Sequence, residues 1–134
     1  MQNLSREEQI GLSRAIIQML ASWGADAEDQ IQVLALPEGT PLRAMRRYRD
    51  GMEPLPATEE VVERIEHVAG IADALRTTFP ANPRARIHWM MTPNRKFANQ
   101  PPIQVIVEGG LSGLIAVRSD LDCVFSWERL ATPA

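Results

Sequence analysis

The sequence predicts a helical protein, and three observations carry that reading. Apolar residues recur at spacings of three and four along most of the 134 residues, the period that lines one face of an α-helix. Cap-type residues stand just ahead of these runs, with glycine or proline just behind them. Residues 103–107, IQVIV, have the β-branched composition of a strand as well, and for that segment propensity alone slightly favours strand over helix.

Ser5 and Glu8 make a capping box that opens a first helix, in which Leu12, Ile16, Met19, Leu20 and Trp23 share a face until Gly24. Asp26 caps a shorter second helix with Ala27, Ile31 and Leu34 on one side, and Pro37-Glu38-Gly39 turns the chain. Thr40 is the expected cap of a third helix, with Pro41 at its first position and Gly51 just past its end. Residues 52–57 hold Pro54 and Pro56 and cannot continue a regular helix, so they divide an N-terminal unit, 1–57, from a C-terminal unit, 58–134.

Thr58 restarts helix with Glu59 and Glu60 at the positive end of its dipole. Val61, Ile65, Val68, Ala72, Leu75 and Phe79 then form a long apolar stripe that stops before Pro80, while Glu63, Glu66 and Asp73 lie outside. This stripe suits a helix joining the two units, and part of it could also pair with a second copy. Asn82-Pro83 begins a fifth helix that turns Ile87 and Met90 to one side, and Pro101-Pro102 begins the sixth segment, which ends at Gly109-Gly110. A seventh helix is expected from Leu111 to about Asp122, carrying Leu114, Val117, Arg118 and Leu121. The remaining tail, CVFSWERLATPA, has no strong period.

Composition excludes several classes. A hydrophobic content of 45% with 23% charged residues is that of an ordinary globular domain, and no apolar run approaches the roughly 20 residues of a membrane span. The start, MQNLSREEQ, has no apolar signal-peptide core, and Cys123 stands alone, which together fit a reducing cytoplasm. His67 and His88 are the only histidines and have no second ligand at metal spacing, so no metal site is expected; His67 follows Glu63 by four, the spacing of a surface pair. No Walker loop, dinucleotide fingerprint or nucleophile elbow is present, so neither a cofactor nor catalysis is expected. Gly109-Gly110-Leu111-Ser112-Gly113 matches a phosphate loop only in its glycines and reads as an interhelix turn.

Two stretches stand out. Residues 40–50 carry four arginines against one aspartate in a chain of net charge -3. Leu42 and Met45 are placed inward, Arg43, Arg46 and Arg47 outward, and Arg49 nearer the inner side. A short helix, a turn and a basic helix started by proline suit a helix-turn-helix, whose second helix enters the major groove; an arginine-studded surface helix fits the same residues. The second stretch, residues 87–102, sets Trp89 and Phe97 around the Pro93-Asn94 turn with no nucleophile among them. It reads either as simple core or as a rigid apolar scaffold that holds a partner.

From Thr40 onward the chain resembles the Xre/MbcA/ParS antitoxins, through RAMRRYRDGMEPLP, VERIEHVAGIADALRTTFP and WMMTPNRKFANQPPIQVIVEGGLSGLIAVRSDLD. Trp89, Pro93-Asn94, Phe97, Pro102, Gly109-Gly110 and Leu121 fall on the family pattern in the last block, and Arg64 matches an arginine the family carries in its long helix. One departure is visible: the family usually has glycine after the Phe97 position, where Ala98-Asn99 stand here.

The resemblance implies an all-α protein, an N-terminal helix-turn-helix bundle joined by a long central helix to a small helical toxin-binding domain, with the sixth segment helical. It implies an antitoxin, a homodimer within a hetero-oligomeric complex. Its partners are then a cognate RES-domain or ParT-like toxin that consumes NAD, and operator DNA. DNA binding would fall to Thr40, Arg43, Arg46 and Arg47. Toxin binding would fall to Trp89, Pro93, Asn94, Phe97 and Pro102, and to Phe125, Trp127, Glu128, Arg129 and Leu130 of the tail, with Glu128 as the acidic contact. The alternative is a stand-alone helix-turn-helix regulator without a toxin partner.

Overall fold

The computed structural model describes residue 1 and residues 3–131, with side chains as far as residue 123. Among the described residues the chain forms seven α-helices and one 3-10 turn, with no strand: α1 Arg6–Ser22, α2 Ala27–Val33, α3 Leu42–Arg49, α4 Glu59–Thr78, α5 Pro83–Met91, the 3-10 turn Arg95–Phe97, α6 Pro102–Gly109 and α7 Leu111–Ala131.

The caps read from the sequence begin most of these helices. Ser5 and Glu8 exchange hydrogen bonds at the start of α1, and Asp26 does the same with Asp29 at the start of α2. Thr58 accepts from the Val61 N–H, and Asn82 from the Ala85 N–H. Each cap satisfies an N–H that the helix itself leaves without a partner. The third helix departs from this pattern. Pro41 is the residue before α3, and Thr40 makes no cap; its hydroxyl donates back to the Pro37 carbonyl and so closes the preceding turn.

The long helix α4 is central. It packs against α1, α5 and α7, while α6 packs against α2, α5 and α7, and α1 against α2 and α3. Its buried stripe is Val61, Ile65, Val68, Ile71, Ala72 and Leu75. That stripe joins Leu20, Trp23, Leu34, Leu55, Met90, Ile106, Leu114 and Leu121 in one core drawn from both sides of the proline segment. A fully buried side chain of this kind is worth about 1.5–3 kcal/mol over its exposed state, so the shared core accounts for the helices holding one arrangement. Two polar groups finish it. Ser13, wholly buried, accepts the Leu55 N–H at 2.8 Å and pins the proline segment to α1. The Gln30 amide donates to the Ala25 carbonyl at 2.9 Å.

Residues 103–107 are helical despite their strand propensity. Pro102 sits at the first position of α6, where its missing N–H is not needed, and Gly113 lets the two helices touch backbone to backbone. A Cβ on Gly113 would lie 2.9 Å from the Val105 carbonyl carbon and 3.1 Å from the Ile106 Cα. Tertiary contact of that closeness overrides a propensity worth a fraction of a kcal/mol, of order 1 at most, per residue.

Four further expectations are corrected. Leu42 is 53% exposed, because Tyr48 takes the inward place beside Met45. Arg49 also faces solvent, where its Nε donates to Asp50 at 3.0 Å. His67 does not pair with Glu63: its Nδ1 accepts from the Arg118 guanidinium of α7 at 3.3 Å, and guanidinium can only donate. Gly70 leaves the room that this guanidinium occupies. The seventh helix does not stop near Asp122 but runs to Ala131; no glycine or proline lies between Gly113 and Pro133 to break it.

Candidate functional site

Two surfaces collect the residues singled out by the sequence. The first is the outer face of α3. Met45 and Tyr48 are buried and Ala44 half-buried, so the opposite side, centred on Arg43 with Arg46 and Arg47 about it and the exposed Leu42 at its edge, faces solvent. Arg47 is held by Glu53 at 3.0 Å and Arg49 by Asp50. Among the described residues Arg43 and Arg46 make no ion pair. Of the four arginines, these two keep an uncompensated charge on the exposed face, while Arg47 and Arg49 are partly neutralised. Tyr48 behind them has its pKa raised, by burial first and by the nearby Glu53 carboxylate second.

The second surface is built by the end of α5, the 3-10 turn and the start of α6. Asn94 holds the turn together: its side-chain oxygen accepts the Lys96 N–H at 3.0 Å, and its backbone pairs with Gln100. Ala98 and Asn99 both have left-handed backbone, with φ of 55° and 65°. The loop therefore keeps the geometry a glycine would favour, at a cost of about 1–2 kcal/mol for a residue with a Cβ such as Ala98. Lys96 reaches Asp120 of α7 at 3.3 Å and ties the turn to that helix.

Trp89 and Phe97 are half-buried against the core and Pro102 is buried, so all three brace the loop from inside. Pro93 is exposed at its tip. Two further residues are exposed on α5: Ile87, which the sequence placed on one side with the buried Met90, and Met91, which it did not single out. Ile87 and Met91, four apart on α5, are 37% and 50% exposed and lie on one face. The spacing that exposes them was legible; their exposure was not, because Met90 alone takes the inward position. Phe125, Trp127, Glu128, Arg129 and Leu130 lie outside the residues whose side chains are described.

Arg64 ties the end of α2 to the α6–α7 turn. From α4 it donates to the Val33 carbonyl at 3.0 Å, at the C-terminal end of α2, and its guanidinium lies against Gly110 in the α6–α7 turn. A cation at those carbonyls meets the negative end of the α2 dipole. The α4 C-terminus is held in the same way by Arg86, which donates to the carbonyls of Phe79 and Pro80 at 2.9 Å each. No helix among the described residues is long and apolar enough to cross a membrane.

Comparison with known proteins bears on the second surface. Residues 74–123 match the model of the antitoxin Xre/MbcA/ParS C-terminal toxin-binding domain, a span that takes in the end of α4, α5, the loop, α6 and α7 as far as residue 123. The chain is also 30% identical over 109 residues to the uncharacterized protein y4oB of Sinorhizobium fredii (strain NBRC 101917 / NGR234), covering 81% of this chain and 79% of that protein.

Proposed function

We propose, from the premise that this chain belongs to the Xre/MbcA/ParS antitoxin family and so has a toxin partner, that the toxin is a NAD-consuming enzyme of RES-domain or ParT-like type. The antitoxin silences it by covering the active site. The docking surface is the α5–α6 loop with Pro93 and the exposed Ile87 and Met91, braced by Trp89, Phe97 and Pro102. The part that reaches the pocket is the C-terminal stretch beyond Asp122.

The observation that carries this reading is the length of α7. Among the residues whose side chains are described, Leu121 is the last buried one, and the helix backbone continues to Ala131. The helix thus carries the chain on past residue 123, where the toxin-binding match ends. A pocket that binds an anionic dinucleotide presents cationic and aromatic groups, which suits a segment carrying Trp127 and Glu128.

The same molecule represses its own operon, as a dimer, through α3. Arg43 and Arg46 supply the phosphate or guanine contacts, with Arg47 beside them. The division of labour follows the proline segment, residues 1–57 binding DNA and 58–134 binding toxin.

The test is to purify the product of the neighbouring toxin gene and follow NAD loss with and without this chain. Expected is suppression at stoichiometric antitoxin, with no NAD loss from the antitoxin alone. Undiminished NAD consumption in a mixture that forms a complex would exclude occlusion.

A further inference from the structure

Leu42 is the most conspicuous misfit between sequence and structure. An apolar residue at the first position of α3 is placed inward by its spacing, but it stands 53% exposed, with Arg43 next to it in the chain and Arg46 one turn on. It also forms the outer lip of a shallow apolar groove of about 340 Å3 between α1, α2 and α3, floored by Ile17, Ala21 and Ala25. Arg46 and Arg49 flank that groove, and Asp26 lies at one end with its carboxylate already engaged by the Asp29 N–H.

We infer that Leu42 is a specificity-determining residue of the DNA interface, reading the 5-methyl group of a thymine in the major groove. The inference rests on the DNA-binding reading of α3 and extends it from charge to sequence. The first residues of a recognition helix are those that meet base edges. Thymine is the base whose major-groove edge carries a methyl, and an apolar side chain is what recognises it. Arg43 and Arg46, on the same exposed face, anchor the helix to phosphates, a role that carries no sequence information by itself. The groove behind Leu42 gives the methyl an apolar floor. The local excess of arginine favours an anionic duplex over an apolar protein segment as its occupant.

The experiment titrates the full chain against the duplex lying directly upstream of its own reading frame. Each thymine inside the protected region is replaced in turn by deoxyuridine, which lacks only the methyl. Expected is a loss of about four-fold in affinity at one or more positions per half-site, the worth of one buried methyl. Leu42→Ala should bind the thymine duplex as weakly as wild type binds the uracil one, and should no longer tell the two apart. Arg43→Ala should bind both more weakly with the discrimination intact.

Since Leu42 lies mostly outside the core, Leu42→Ala should melt with wild type, which the same preparations check. If wild type binds with normal salt dependence but ignores every deoxyuridine, or if Leu42→Ala still discriminates, the assignment of Leu42 fails and DNA binding by α3 stands. If wild type does not bind the duplex, both fall. Loss of toxin complex by Leu42→Ala with unchanged DNA affinity would give the groove to a protein partner and overturn the inference.

Discussion

Replacing Gly113 with alanine probes the packing on which the toxin-binding half depends. The added Cβ would sit 2.9 Å from the Val105 carbonyl carbon and 3.1 Å from the Ile106 Cα, and closer still to the Val105 oxygen. Carbon atoms rest at about 3.5–4.0 Å, so α6 must retreat by roughly 1 Å, and every obstacle is backbone rather than a side chain that can swing aside. Overpacking of this kind costs about 1–3 kcal/mol or more, against at most about 1 kcal/mol gained by removing a helical glycine. The net loss expected is about 2 kcal/mol, read as a lowered midpoint in urea, with a parallel loss of toxin affinity. Gly109→Ala is the control, since its Cβ meets only the Ser112 hydroxyl at 3.6 Å; it should be neutral or stabilising. Equal stability of the two variants would mean that α6 and α7 do not touch through their backbones.

Ala98→Gly should raise stability by up to about 1 kcal/mol, because the left-handed φ of 55° strains alanine and not glycine; a calorimetric Tm that falls instead would show that the turn is built differently. Ser13→Ala leaves the buried Leu55 N–H without its acceptor and should cost about 1–3 kcal/mol in chemical unfolding. Tyr48 gives a pH signature. Its raised pKa means that the folded state holds the proton more tightly than the unfolded chain, so its contribution is full below the ordinary value near 10 and is lost as pH rises through the folded value. Tyr48→Phe should remove that part of the alkaline decline and leave the profile at neutral pH unchanged in shape. The triple change of Arg43, Arg46 and Arg47 to Ala should abolish operator binding while sparing toxin neutralisation, measured side by side.

Much of the fold was legible because local signals agreed with the packing. Ser5, Asp26, Thr58 and Asn82 cap where their chemistry says they should, and the α4 stripe is buried as its period requires. The misreadings occur where a decision rested on a distant partner. Nothing near Leu42 announces that Tyr48 takes its place in the core. The His67 partner lies in α7, not at four residues' distance. The role of Ser13 depends on a proline segment far along the chain, although its register with Ile16, Ile17 and Leu20 was a visible hint. At the candidate sites the arginines of α3 and the Trp89–Pro102 block were singled out by their chemistry. Which side chains brace and which face outward was set by the tertiary arrangement alone.

The reading of this chain as a cover for another protein's pocket comes down to the end of α7. A chain stopped after Asp122 retains every buried residue among those whose side chains are described, Leu121 being the last of them, and should melt close to the full-length protein. Added to the purified toxin at equal amounts, the full chain should halt NAD consumption and the shortened one should leave it running. Inhibition by the shortened chain at the same concentration would place the neutralising contact elsewhere and contradict the mechanism.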